Sequence, residues 1–64
     1  MIKRKEQASL KVGDCLHFGY CADKNIIRFE EYNGTFDFVA RIAAFADGSR
    51  MSLEKGHYYE TEVR

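Results

Sequence analysis

Cys15, His17, Cys21 and His57 are the side chains of this 64-residue chain that could hold a soft metal ion. Their spacing argues against it. If residues 15 to 21 form one straight strand, its ends lie ~20 Å apart at ~3.3 Å per residue, too far to share an ion. The same separation forbids a Cys15–Cys21 disulfide, which needs Cα atoms within ~7 Å. A sharp bend at Gly19 would rescue either arrangement, but a free cysteine ordinarily behaves as a small hydrophobe. We therefore assign no metal and no cofactor. Cys15, His57 and Asp14 supply the letters of a nucleophile, a base and an orienting acid, but no spacing ties them together. There is no glycine-rich phosphate loop, and so short a chain leaves little room for a pocket. The expectation is a non-enzymatic protein.

The aromatic residues carry more information. Tyr20, Tyr32, Phe45, Tyr58 and Tyr59 fall outside the inferred sheet core or at its margins, and exposed aromatics near an arginine are what interface hot spots are made of. Phe45 opposite Arg50 is the clearest member. A second reading has these rings covering a small core beneath the terminal segments, as some must in a closed barrel. Glu30 and Asp37 are expected to face each other across a hairpin, where like charges destabilise, and Glu31 adds to that acidic tip. The candidate partner-binding set is Phe45, Arg50, Tyr58, Tyr59 and Tyr32, with Glu30 and Asp37 setting orientation. The alternative is nucleic acid, held by phosphate contacts from Lys3, Arg4, Lys5 and Lys11 with bases stacked on the aromatics. Ten basic and ten acidic side chains cancel, which weighs against it because phosphate contacts dominate such affinity.

Positioning these residues falls to a three-stranded meander from Asn25 to Glu54. Asn33-Gly34 and Asp47-Gly48 are dipeptides that two-residue hairpin turns favour, because both central residues take positive φ. Counting outward from Asp47-Gly48 places Ala44 opposite Met51, Ile42 opposite Leu53, Phe45 opposite Arg50 and Arg41 opposite Glu54. Counting from Asn33-Gly34 places Phe38 opposite Phe29 and Ala40 opposite Ile27. One face then holds Ile27, Phe29, Phe38, Ala40, Ile42, Ala44, Met51 and Leu53. The rival is an amphipathic helix over residues 35–46, capped by Thr35 and ended by Gly48. It would leave the agreement between the two turns a coincidence.

Residues 1–10 read as a flexible or edge segment, with one helical turn as an alternative. Lys11 to Asp14 reads as a turn into a strand from Cys15 to Tyr20, with Leu16, Phe18 and Tyr20 on one side. A last strand runs from His57 to Val63 after the turn at Glu54-Lys55-Gly56. Five short strands opened by Val12-Gly13-Asp14 resemble the layout of SH3-like small barrels, a resemblance that implies fold alone. We thus expect one all-β domain, a five-stranded SH3-like barrel or a strongly bent antiparallel meander.

A chain of this size buries only ~60% of the surface its unfolded form exposes. No apolar run reaches the ~20 residues of a membrane helix, and two cysteines make no disulfide framework. A cytoplasmic location follows by default. The size suits an accessory or regulatory factor that binds and adapts or blocks a larger protein, of the sort a bacteriophage or mobile element encodes. Homo-oligomerisation is a further expectation, since an open sheet leaves edges to cover.

Overall fold

The computed structural model describes residues 1–20 and 22–63, so any role of Cys21 lies outside the described residues. Six antiparallel strands form one sheet: β1 (Ile2–Glu6), β2 (Cys15–Leu16), β3 (Lys24–Glu30), β4 (Val39–Phe45), β5 (Arg50–Glu54) and β6 (Tyr58–Glu62). Their order is β1-β6-β2-β3-β4-β5. A single 3-10 turn, Gln7–Ser9, follows β1. The all-β class is as expected, with six strands rather than five, and residues 39–45 are strand rather than helix. The sheet is not closed, because β1 and β5 are both edges.

β3 is the pivot. Its first residues pair with β2, Asn25 against Cys15, and the rest pairs with β4, Ile26 against Phe45. A bulge between Ile26 and Arg28 separates the two stretches, and bulges bend a strand and raise its twist. The bend shows in the core. Leu10, Leu16, Ile26, Ala43, Phe45 and Leu53 form one buried cluster, with Phe18, Phe29, Met51 and Tyr59 packed against it. β2 and β5 are three strand spacings apart, ~14 Å across a flat sheet, so Leu16 and Leu53 share a cluster only because the sheet folds over on itself. Where β5 and β6 approach, the Glu54 N–H donates to the Tyr59 hydroxyl at 2.8 Å. Arg41 clamps the N-terminal segment from inside, donating to the carbonyls of Gln7 at 2.7 Å and Leu10 at 2.6 Å.

Both predicted registers are corrected. Around Asp47-Gly48, Ala44 faces Arg50, Ala43 faces Met51, Ile42 faces Ser52 and Arg41 faces Leu53, one residue from expectation. The reason is the turn. Only Gly48 takes positive φ (90°), the Gly48 N–H donates to the Phe45 carbonyl, and the Phe45 N–H donates to the Ser49 carbonyl. That is a three-residue loop ending in a left-handed glycine rather than a two-residue turn. The slip exchanges faces: Ala43 and Phe45 enter the core cluster, while Ile42 and Ala44 sit on the other side.

Around Asn33-Gly34 there is no tight hairpin at all. Neither residue has positive φ, β3 ends at Glu30, and residues 31–38 form an eight-residue loop. Phe29 faces Ala43 and Glu30 faces Ile42. Ile27 falls at the bulge and is 45% exposed, so Ile26 occupies the core position instead.

Candidate functional site

The predicted binding set divides between two places and the interior. Phe45 is 2% exposed, edge-on to Phe18 with ring centroids 6.2 Å apart. It is a core residue, and its expected place on the polar face beside Arg50 is corrected by the one-residue slip. Tyr58 and Tyr59 line an open groove of about 570 Å³ with Arg4, His17, Phe18, Met51 and Glu60. The Arg4 guanidinium lies 5.6 Å from the centre of the exposed Tyr58 ring. Tyr32 and Glu30 line a second groove, about 400 Å³, with Phe29, Glu31, Ala40 and Arg41. Here the Arg41 guanidinium sits 3.9 Å from the Phe29 ring centre, a packed cation–π contact.

The expected Glu30–Asp37 repulsion is absent, because the long loop takes Asp37 out of register. Glu30 instead accepts from the Arg28 Nε–H at 3.1 Å and forms an ion pair with Arg50 at 2.8 Å. The hydrogen bond from Arg28, aided by the charge of Arg50, holds its carboxyl below the usual carboxylate range. Ala44 stands in register between those two arginines and is buried although outside the core cluster. Arginine stems cover apolar surface in this way.

The loop over the second groove holds what sequence reasoning missed. Phe36 is 58% exposed and Phe38 52%, with ring centroids 5.3 Å apart. The sequence pattern places Phe38 in the core and gives Phe36 no role. The loop has internal order: the Phe36 N–H donates to the Tyr32 hydroxyl, the Val39 N–H to the Phe36 carbonyl, and the Lys55 N–H to the Phe38 carbonyl. Glu31 and Asp37, both exposed, make no ion pair among the described residues. Two exposed phenylalanine rings, the Tyr32 ring and two carboxylates without an ion pair thus share one loop.

The other candidate chemistry disperses. Cys15 is buried opposite Glu62, near one end of β6, whereas His57 precedes the other end and pairs with Glu54 at 3.1 Å. Five residues of strand, ~16 Å, separate them. Asp14 accepts from Lys5 and from the Lys11 N–H. His17 lies 2.9 Å from Asp23, with Glu62 near both, but Glu62 already accepts from the Met1 ammonium at 2.8 Å. Of the cations proposed for nucleic acid, Lys3 and Lys5 alternate with Arg4 along β1, and Lys11 lies beyond the 3-10 turn.

No family model, curated protein or solved structure matches this chain. No helix of the described residues is long and apolar enough to cross a membrane.

Proposed function

We propose that this chain is a small protein-binding module, an adaptor or inhibitor of a larger cytoplasmic protein, and that loop 31–38 is its contact surface. The observation carrying the reading is the Phe36–Phe38 pair, held outward on a loop whose own backbone is hydrogen-bonded. Burying what remains exposed of the two rings is worth roughly 2 kcal/mol, available only when another surface covers them. Glu31 and Asp37 flank the rings and select a partner that presents basic side chains beside an apolar one. Tyr32, Glu30 and Asp37 from the predicted set stay in this surface; Tyr58 and Tyr59 belong to the other groove. The bent sheet, tied across its seam by the Tyr59 hydroxyl, supports reading the fold as an incompletely closed small barrel of the SH3-like kind. The size fits an accessory factor such as a bacteriophage or mobile element encodes.

The test is affinity capture from host lysate with the wild-type chain and a Phe36→Ser/Phe38→Ser variant, each repeated after nuclease treatment and at raised salt. A protein retained by the wild type through nuclease and lost by the variant supports the reading. Recovery that vanishes with nuclease and falls steeply with salt, yet survives in the variant, moves the function to nucleic acid and to Lys3, Arg4, Lys5 and Lys11.

A further inference from the structure

The sheet has two free edges, and they differ in what they can pair with. At β5, the Phe45 N–H bond to the Ser49 carbonyl marks that pair as hydrogen-bonded. Antiparallel ladders alternate, so Met51 and Leu53 point their backbone groups at β4, while Arg50, Ser52 and Glu54 point theirs away from it. Glu54 agrees: its N–H goes to Tyr59 and its carbonyl accepts from His57 at 3.4 Å. Arg50 and Ser52 are left with outward N–H and carbonyl groups that have no partner among the described residues.

The strand Arg50-Met51-Ser52-Leu53-Glu54 is complementary to itself. Laid antiparallel on a second copy about Ser52, it puts Arg50 opposite Glu54 of the second copy at both ends, Met51 opposite Leu53, and Ser52 opposite Ser52. Shifting the register by two residues in either direction loses both charge pairs. The β1 edge, Ile2-Lys3-Arg4-Lys5-Glu6, has the opposite property. Paired with itself about Arg4 it sets Arg4 on Arg4 and Lys3 on Lys5, the like-charge blunting that keeps edges apart.

We propose that β5 is a self-association edge, joining two copies of this chain into a two-fold dimer with one continuous sheet. The interface is isologous, so each favourable charge contact occurs twice. Arg50 and Glu54 are exposed enough to exchange Glu30 and His57 for each other across the edge, and the second strand displaces the Tyr59 hydroxyl from the Glu54 N–H. One short strand per copy buries far less than a standard interface, so the dimer is weak and concentration-dependent. It uses residues distinct from the Phe36–Phe38 surface, and its failure would leave that surface untouched.

Sedimentation equilibrium of the full chain over a wide concentration range tests it. The wild type should show a reversible monomer–dimer equilibrium. Arg50→Glu and Glu54→Arg should each weaken it by about tenfold or more, since each sets like charges opposite at both ends. Mixing the two variants should restore dimers as heterodimers, because the all-acidic ends of one edge then meet the all-basic ends of the other. Ser52→Pro, which removes an outward N–H and leaves the β4 ladder intact, should be monomeric with an unchanged circular dichroism spectrum. A wild type that stays monomeric at millimolar concentration, or a mixture that associates no better than either variant alone, overturns the proposal.

Discussion

The two turn dipeptides, Asp47-Gly48 and Asn33-Gly34, carry nearly the same local signal and end in opposite structures. At Asp47-Gly48 the chain reverses within three residues and everything around it is satisfied. The Asp47 carboxylate accepts from the Ser49 N–H and hydroxyl, and Lys24 reaches across from β3 to Ser49 and Asp47. At Asn33-Gly34 the chain runs on for eight residues and leaves two phenylalanines in water. The difference lies in the flanks. Phe45 and Ser49 close a hydrogen-bonded pair directly beside the first turn, which anchors it to the core. Beside the second, β4 starts at Val39, but Val39 pairs with Glu54 of β5, and the ladder to β3 begins only at Ile42 opposite Glu30. A turn signal sets where a chain can reverse, and packing of the nearest buried side chains decides whether it does so tightly.

Truncating one phenylalanine from each region should separate the two most widely. Phe45→Ala should cost about 3–5 kcal/mol of stability, the usual cost of removing a buried ring. Phe36→Ala should stay within about 0.5 kcal/mol, as surface changes do. Urea denaturation of the two variants reads both numbers; equal losses would mean the loop is part of the core.

Arg41 extends the contrast to the strand between the two turns. It stands on the core face opposite Leu53 and holds the carbonyls of Gln7 and Leu10, so this side chain anchors β4 to the N-terminal segment. Arg41→Met should cost about 2 kcal/mol by freeing two charge-assisted acceptors. Hydrogen exchange should accelerate first at Leu10, whose N–H donates to the Gln7 carbonyl. Exchange that quickens in loop 31–38 while Leu10 stays protected would show the anchor lies elsewhere.

These regions also show what could be read from the residues alone. Strand identity was legible at β4, β5 and β6, which fall within their expected spans, and Leu16, Phe29, Met51 and Leu53 pack as anticipated, but the strand expected from Cys15 to Tyr20 stops at Leu16. Register was not legible. A two-residue and a three-residue turn share the Asp-Gly signal, and one residue of slip exchanges every side chain between faces. That slip moved Phe45 from the presumed binding surface into the core. The run Ile26-Ile27 offered two apolar residues for one inward position, and only the bulge decides between them. The exposed Phe36 and Phe38 were illegible for a related reason, since an aromatic beside a turn looks the same whether the strand reaches it or stops short.

Glycine substitutions should separate the two turns by a smaller margin. Gly48→Ala forces an L side chain to φ 90° and should cost about 1 kcal/mol or slightly more in thermal unfolding. At Gly34 the backbone is ordinary, but an added Cβ would collide with the Tyr32 ring. Gly34→Ala should therefore leave stability nearly unchanged while displacing Tyr32 from the Phe36 N–H, visible as a shift of the Tyr32 ring resonances. A stability loss as large as that of Gly48→Ala would mean the loop is as tightly determined as the hairpin.

The smallest effect separates the regions by pH. Hydrogen bonds from the Ser49 side chain and backbone, with Lys24 nearby, lower the Asp47 pKa from 3.8 to about 2. Because the folded value lies below the unfolded one, the ionised carboxylate stabilises the fold fully above about pH 4, and that contribution disappears as pH falls towards 2. Asp47→Asn keeps an oxygen acceptor for Ser49 but loses the charge, so it does not titrate. The wild type should melt above the variant at pH 5, and the gap should narrow steadily to near zero at about pH 2. Glu30, also depressed, titrates alike in both chains and drops out of the difference. A gap that stays constant across that range would show that the hairpin is held by turn geometry alone, and that the charge of Asp47 contributes nothing to the order that distinguishes it from loop 31–38.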